Sequence, residues 1–202
     1  MLADGEYDVP PGKFAVVVTH LEMRAPPPER PARLPEGVGF QTVSAPGAAW
    51  YRELFTRVGA LDWLWSSRLK LTDDALAAIL ADPDVEVSTL TVNGRDEALL
   101  ELDFRHGGAC ELAFFGLTSA LIGSGCGRWL MNRAILRAFE RPITRFHVHT
   151  CTADSPQALA FYRRSGFEPV RQQIEIADDP RLAGLIPENA APGIPIFRPG
   201  AS

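Results

Sequence analysis

The 202-residue sequence predicts a mixed α/β fold, with helices segregated from a mostly antiparallel sheet and a single parallel crossover. Three observations carry that prediction. From residue 47 onward the elements read in the order ααβββαβαβ. Asn93-Gly94 separates two apolar runs, a strong hairpin signal. The 17 prolines are unevenly placed: eight lie at or before Pro46, five at or after Pro180 and four between. Proline breaks helices and removes a ladder donor, so the regular fold belongs to the middle and irregular or extended chain to the ends.

Residues 1–12 read as a disordered lead. KFAVVVTHLEMR (13–24) is β-branched and apolar enough for a strand, and the proline-rich stretch after it is an extended connection. GVGFQTVSA (37–45) is a second short strand. Over 47–59, Trp50, Leu54, Phe55 and Val58 recur at helical spacing and define an amphipathic helix. The aromatic LDWLW (61–65) shows no clear period. LTDDALAAILADP (71–83) has a Thr72 cap, acids in the first turn and a proline stop, and so predicts a second helix. Strands 85–94 and 96–104 flank the Asn93-Gly94 turn, and ACELAFFGL (109–117) is a third antiparallel strand. RWLMNRAILRAFE (128–140) lines Leu130, Met131, Ala134, Ile135 and Ala138 along one helical stripe. A strand at 145–151, a helix at 155–166 closed by Gly166, and a strand at 167–176 complete the order.

Composition narrows the classes of function. With 46% hydrophobic and 22% charged residues, the chain suits one core that needs neither disulfide nor metal. A net charge of −5 without any basic block argues against nucleic acid or an anionic membrane as partner, while a phosphate-bearing small molecule needs only a local site. Cys110, Cys126 and Cys151 are odd in number and lack metal-ligand spacing, which suits a reduced, cytoplasmic protein with no metal. His147, His149 and Cys151 share a strand face, but give at most part of a tetrahedral site. MLADGEYDVPPG lacks a signal's basic start and apolar run, and no stretch approaches the ~20 apolar residues of a membrane span.

Gly123, Gly125 and Gly127 alternate immediately before a helix, where the backbone can turn sharply and aim several amides at an anion. A P-loop would need Lys and then Ser or Thr after its last glycine, but Arg128-Trp129 stand there. A dinucleotide fingerprint would need a third glycine at Arg128 or Leu130. The segment resembles instead the acyl-CoA loop of the GCN5-related N-acetyltransferase (GNAT) superfamily: Gln or Arg, two residues, Gly, one residue, then Gly or Ala. Gly125 and Gly127 take the two small positions, and Ile122 stands where Gln or Arg is usual. ELAFFGL, the ten-residue loop, a long helix, a strand and then ALAFYRRSGF also match in order and spacing. Tyr162, four residues before Gly166-Phe167, is characteristic. The resemblance covers about 84–176 by sequence and 47–83 by element order. The chain therefore divides into a proline-rich extension (1–46) with one or two strands, an acyl-CoA-binding domain (47–176) and an extended tail (177–202).

The resemblance implies a twisted sheet with a splayed parallel strand pair, helices on both faces, and acetyl-CoA as co-substrate. It also implies acetyl transfer to a primary amine of a small molecule or peptide by direct attack. A non-catalytic acyl-CoA-binding module on the same fold stays open as the alternative, and so does a homodimer. By the same resemblance, amides of Gly123, Ser124, Gly125, Cys126, Gly127 and Arg128 hold the pyrophosphate, with Arg128 or Arg133 reaching other phosphate oxygens. The Leu117 N–H polarises the thioester carbonyl, Tyr162 protonates the leaving thiolate, and Ser155 stands where the superfamily often has Asn. Glu111 is the leading general base. Glu101 and Asp103 alternate onto one strand face and compete for that role or for a cationic amine. His149 is a candidate proton relay near the splay. Trp63 and Trp65 could line the acceptor pocket, although packing onto the first helix is the expectation for one of them.

Overall fold

A computed structural model describes residues 3–28 and 30–200. The strands are β1 (Lys13–Met23), β2 (Val38–Val43), β3 (Val85–Val92), β4 (Arg95–Asp96), β5 (Ala98–Asp103), β6 (Ala109–Leu117), β7 (Arg145–Cys151) and β8 (Glu168–Asp178). They form one sheet ordered β2-β3-β5-β6-β7-β1-β8, with β4 beside β3. Every pairing is antiparallel except β6 with β7, so the predicted mostly antiparallel sheet with one parallel crossover is the observed one.

Helices cover both faces. On one, α1 (Ala48–Phe55) and α3 (Asp73–Leu80) bury Tyr51, Leu54, Phe55, Leu76 and Leu80 against Val85, Val87 and Leu99. On the other, α4 (Cys126–Phe139) lays Leu130, Met131, Ala134, Ile135 and Ala138 over Leu100, Leu102, Leu112 and Phe146, with α5 (Ala158–Arg164) adding Tyr162. Each fully buried Leu or Phe contributes about 1.5–3 kcal/mol relative to exposure. Thr72 accepts from the Ala75 amide at 3.3 Å, the cap expected for α3.

The predicted helix 47–59 changes character after Phe55. A π-helical turn, Thr56–Ala60, leads into the three-residue α2 (Leu61–Trp63). Two glycines show what holds that turn in place. A Cβ on Gly59 would lie 2.0 Å from the Trp65 ring, and one on Gly116 of β6 would lie 2.9 Å from Val58. The widened turn thus seats Val58 directly on β6 and lets Trp65 fold under it.

The proline-rich ends are structural. β1 inserts between β7 and β8, antiparallel to both, while β2 pairs with β3 at the opposite edge. The connection between β1 and β2 runs over α4 and α5: Asn132 donates to the Arg30 carbonyl at 2.7 Å, and Arg30 donates to the Arg164 carbonyl at 2.9 Å. Residues 179–200 form turns, buried through Ile186, Ala190 and Ala191 against the α1 layer. The Ala191 amide bonds the Leu61 carbonyl at 2.7 Å, fixing this segment to α2.

Candidate functional site

The parallel pair β6–β7 holds register for three rungs only, ending at Glu111 opposite His147. Beyond that rung β6 continues to Leu117 and β7 to Cys151 without pairing to each other. A bulge on β6 helps part them: Phe114 faces Glu101 and Leu112 faces Leu102, leaving Ala113 as the extra residue. A cleft of about 1250 Å³ opens along the gap, bounded by the glycine loop, α5, the loop after α2, and β1.

Gly123, Gly125, Gly127 and Arg128 line the cleft. Gly125 caps α4 at φ +88, a left-handed conformation that suits glycine. The Cys126 amide is taken by Ser124 Oγ at 3.3 Å and the Ser124 amide by the Leu121 carbonyl at 3.3 Å. Ser124 and Cys126 are therefore corrected from amide donors to supports of the loop, and the Cys126 side chain is wholly buried in the core. The Gly127 and Arg128 amides, in the first turn of α4, have no acceptor among the described residues. Ile122 is 63% exposed on the rim.

Thr118 donates to the Glu97 carbonyl at 2.9 Å, so ladder alternation turns the Leu117 N–H away from β5 and toward the gap. Tyr162 lines the cleft, packed edge-on against Phe161 and Phe167, and its hydroxyl has no hydrogen-bond partner among the described residues. Burial, and then the charge of Asp154, push its phenol well above the usual range. Ser155 lies in the turn before α5, its hydroxyl facing the Gln157 amide at 3.4 Å.

Glu111 stands on the last paired rung and does not line the cleft. Its Oε1 lies 3.2 Å from His149 Nδ1, and His149, half-exposed, does line it. The hydrogen bond from His149 holds Glu111 below the ordinary carboxylate range, and the same bond raises His149. The two candidates thus form one unit, with the imidazole nearer the cleft.

Glu101 and Asp103 do share a face, but neither reaches the cleft, which corrects their assignment to substrate. Glu101 is fully buried beneath α1, where it accepts from Tyr51 Oη and Arg68. Arg68 also sits 5.1 Å from the Phe114 ring centre, and its buried Nε has no partner among the described residues. Asp103 is buried and pairs with Arg105 at 2.5 Å. Burial alone would raise its carboxyl, yet the Arg105 hydrogen bonds hold it below the ordinary range.

Trp63 and Trp65 both line the cleft. Trp65 is the one that packs, with ring centres 5.6 Å from Phe55 and 5.4 Å from Phe114. Its indole N–H donates to Asp154 Oδ1 at 2.9 Å, while Asp154 Oδ2 accepts from Thr150 and from the Cys151 amide. Asp154 thus ties the loop after α2 to the end of β7. No sequence motif marks Asp154; an acid directly between a strand and a helix was the available signal. Phe14, Val16, Val18 and Glu175 also line the cleft from β1 and β8, and no motif marks them. Burial, then Asp154, push the Cys151 thiol up to about 11. Among the described residues no group of three or more His, Cys, Asp or Glu is arranged to hold a metal, and no helix is long and apolar enough to cross a membrane.

A parallel strand pair parted beside a glycine-capped helix, inside a two-faced α/β layer, is the fold that the resemblance to the GNAT superfamily implied. The sequence model of the Acetyltransferase (GNAT) family matches residues 48–167, and the chain belongs to that family. Over 69 residues it is 35% identical to a mycothiol acetyltransferase of Jonesia denitrificans, a match covering 34% of this chain and 22% of that protein. Among solved structures it resembles a GCN5-related N-acetyltransferase of Sphaerobacter thermophilus, with TM-score 0.59, 15% identity, and coverage of 84% of this chain and 53% of that one. One from Kribbella flavida gives TM-score 0.55, 21% identity, and coverage of 86% and 63%. An aminoglycoside acetyltransferase from an uncultured soil metagenomic sample gives TM-score 0.53 and 12% identity, covering 64% of this chain and 88% of that one. The chain spans about a fifth of its curated relative and between half and two thirds of the first two structures.

Proposed function

We propose that this chain is an acetyl-CoA-dependent N-acetyltransferase that modifies a primary amine by direct attack, with residues 47–176 as its acyl-CoA-binding domain. The carrying observation is the loss of β6–β7 register immediately after Glu111, which opens a cleft between the glycine loop and the Glu111–His149 pair.

The residues present fit such a co-substrate. The unpaired Gly127 and Arg128 amides, at the positive end of a 14-residue helix, suit a phosphate oxygen. Acetyl-CoA would supply the acyl group as an activated thioester. The Leu117 N–H is available to a developing oxyanion, a kind of contact whose loss typically costs 10²–10³ in rate. His149, oriented through Nδ1 by Glu111, takes a proton from the incoming ammonium. Tyr162 stays protonated because its phenol is shifted upward, and it holds that proton ready at Oη for a departing thiolate. Direct attack is supported by the cysteines: Cys126 is sealed in the core, and Cys151 keeps its thiol proton at neutral pH.

Calorimetry with acetyl-CoA tests the cofactor, and release of free CoA thiol in the presence of amines tests the reaction. Binding without thiol release on any amine would leave a non-catalytic acyl-CoA module. Absence of binding would remove the reading altogether.

A further inference from the structure

The charges lining the cleft are segregated. Arg30, Arg33, Arg128, Arg163 and Arg164 stand on the side of α4, α5 and the chain crossing them. On the other side, beside His149, stand Asp154 and Glu175. Both acids act on His149 electrostatically, after its bond to Glu111 and its burial. Lys70 is the cation lining that side. Asp154 already accepts three hydrogen bonds, leaving about one lone-pair site, and Glu175 has no ion-pair partner among the described residues.

Apart from these acids and His149, the walls there are mainly apolar. Phe14, Val16 and Val18 come from β1, Trp63 from α2, Trp65 from the loop after it, and Phe114 from β6. Such a surface contributes little to a polyhydroxylated, multiply charged ligand, whose groups would lose water without gaining partners. It suits a flat or branched apolar body carrying a single cationic end.

Resting on the acetyltransferase reading, we propose that the acceptor is an amphiphilic monoamine. Its aromatic or aliphatic body lies against Phe14, Val18, Trp63 and Phe114, and its ammonium lies between Asp154 and Glu175 beside His149. His149 removes one proton from that ammonium, the freed nitrogen lone pair forms the C–N bond to the thioester carbonyl, and the C–S bond breaks. The thiolate leaves with a proton from Tyr162, and the amide nitrogen gives up its second proton to solvent.

The test compares 2-phenylethylamine, spermidine and kanamycin as acceptors with acetyl-CoA, reading thiol release, alongside calorimetry of acetyl-CoA alone. The expected result is a kcat/KM for 2-phenylethylamine at least ten-fold above the other two. Trp63→Ala should raise the KM for 2-phenylethylamine about ten-fold without changing acetyl-CoA affinity. Trp63 stands outside the buried core clusters, so this variant should keep its fold. Glu175→Gln should raise the same KM several-fold, with acetyl-CoA affinity unchanged. Preference for spermidine or kanamycin, or turnover of none of the three by protein that binds acetyl-CoA, overturns the acceptor class while leaving the cofactor reading intact. Failure to bind acetyl-CoA overturns both.

Discussion

Glu111 Oε1 lies 3.2 Å from His149 Nδ1 at the rung where β6 and β7 part. That bond lowers the carboxylate and raises the imidazole, so the pair affects stability and activity in opposite directions. The Glu111 contribution is present above its ordinary value near 4.5 and is lost as pH falls through its lower folded value. The His149 contribution is complete below about 6.5 and is lost as pH rises through its higher folded value. Stabilisation by the pair is therefore greatest between about pH 4.5 and 6.5, whereas a neutral His149 base requires higher pH. The acid limb of kcat/KM should lie above 6.5 and move down toward it in Glu111→Gln, with a lower plateau. An unshifted limb in Glu111→Gln would separate the carboxylate from the base.

Tyr162→Phe removes a hydroxyl without a partner among the described residues, so stability should change by no more than about 0.5 kcal/mol. If the phenol donates to the thiolate, kcat should fall about 10²-fold or more, with acetyl-CoA affinity preserved. Calorimetry and thiol-release assays on the same preparation separate the two effects. Loss of affinity with unchanged kcat would make Tyr162 a packing residue.

The two small positions of the glycine loop should respond differently to alanine. At Gly125 a Cβ would meet open space, but φ is +88, so Gly125→Ala should cost about 1–2 kcal/mol in a denaturant titration through backbone strain alone. At Gly127 a Cβ would make only ordinary contacts with Leu117 and Phe161 at 4.0 Å, and helix propensity favours the change by about 1 kcal/mol. Gly127→Ala should therefore keep or gain stability while weakening acetyl-CoA binding about ten-fold, because the methyl projects beside the free amides. Unaltered affinity in Gly127→Ala would argue that no phosphate approaches there.

Arg181 is 1% exposed and pairs with the equally buried Asp179 at 2.7 Å. It also donates to the carbonyls of Ala190, Ala191 and Ile194. Burial alone would raise the Asp179 carboxyl, but the Arg181 donors hold it below its ordinary range. Arg181→Ala strands a buried carboxylate and frees the C-terminal turns, at a cost of about 3–5 kcal/mol and a Tm drop of roughly 6–20 °C. Arg181→Lys should recover only part of this, since an ammonium cannot span both carboxylate oxygens and the three carbonyls. Thermal melts of the two variants check the ordering.

The local signals were legible wherever one element carried them. Thr72, Asn93-Gly94, the apolar stripe of α4 and the strand 109–117 all read correctly, because capping, turn chemistry and periodicity act within a few residues. The boundary of the first helix was not legible: its π-helical turn depends on Val58 meeting Gly116 and Trp65 meeting Gly59, contacts between segments that share no pattern. Glu101 read as a competing base or amine-binding acid because alternation gives a face but not what covers it; Tyr51 and Arg68 cover it. Glu175 enters the cleft only because β8 pairs with β1, opposite Val16, and no residue in either strand announces that neighbour.

The place of β1 in the sheet bears on how the chain is made. Lys13 pairs with Asp178, 165 residues later, and β1 lies between two strands that come last in the chain. β1 emerges well before β7 and β8 and has neither partner until they follow, so its apolar residues wait while the α1 and α4 layers assemble from nearer neighbours. One wall of the cleft is Phe14, Val16 and Val18 from that strand. The site is therefore completed only in the closing step of folding, and a chain stalled before residue 178 would carry the glycine loop, the His149 pair and an open sheet edge, but no finished pocket.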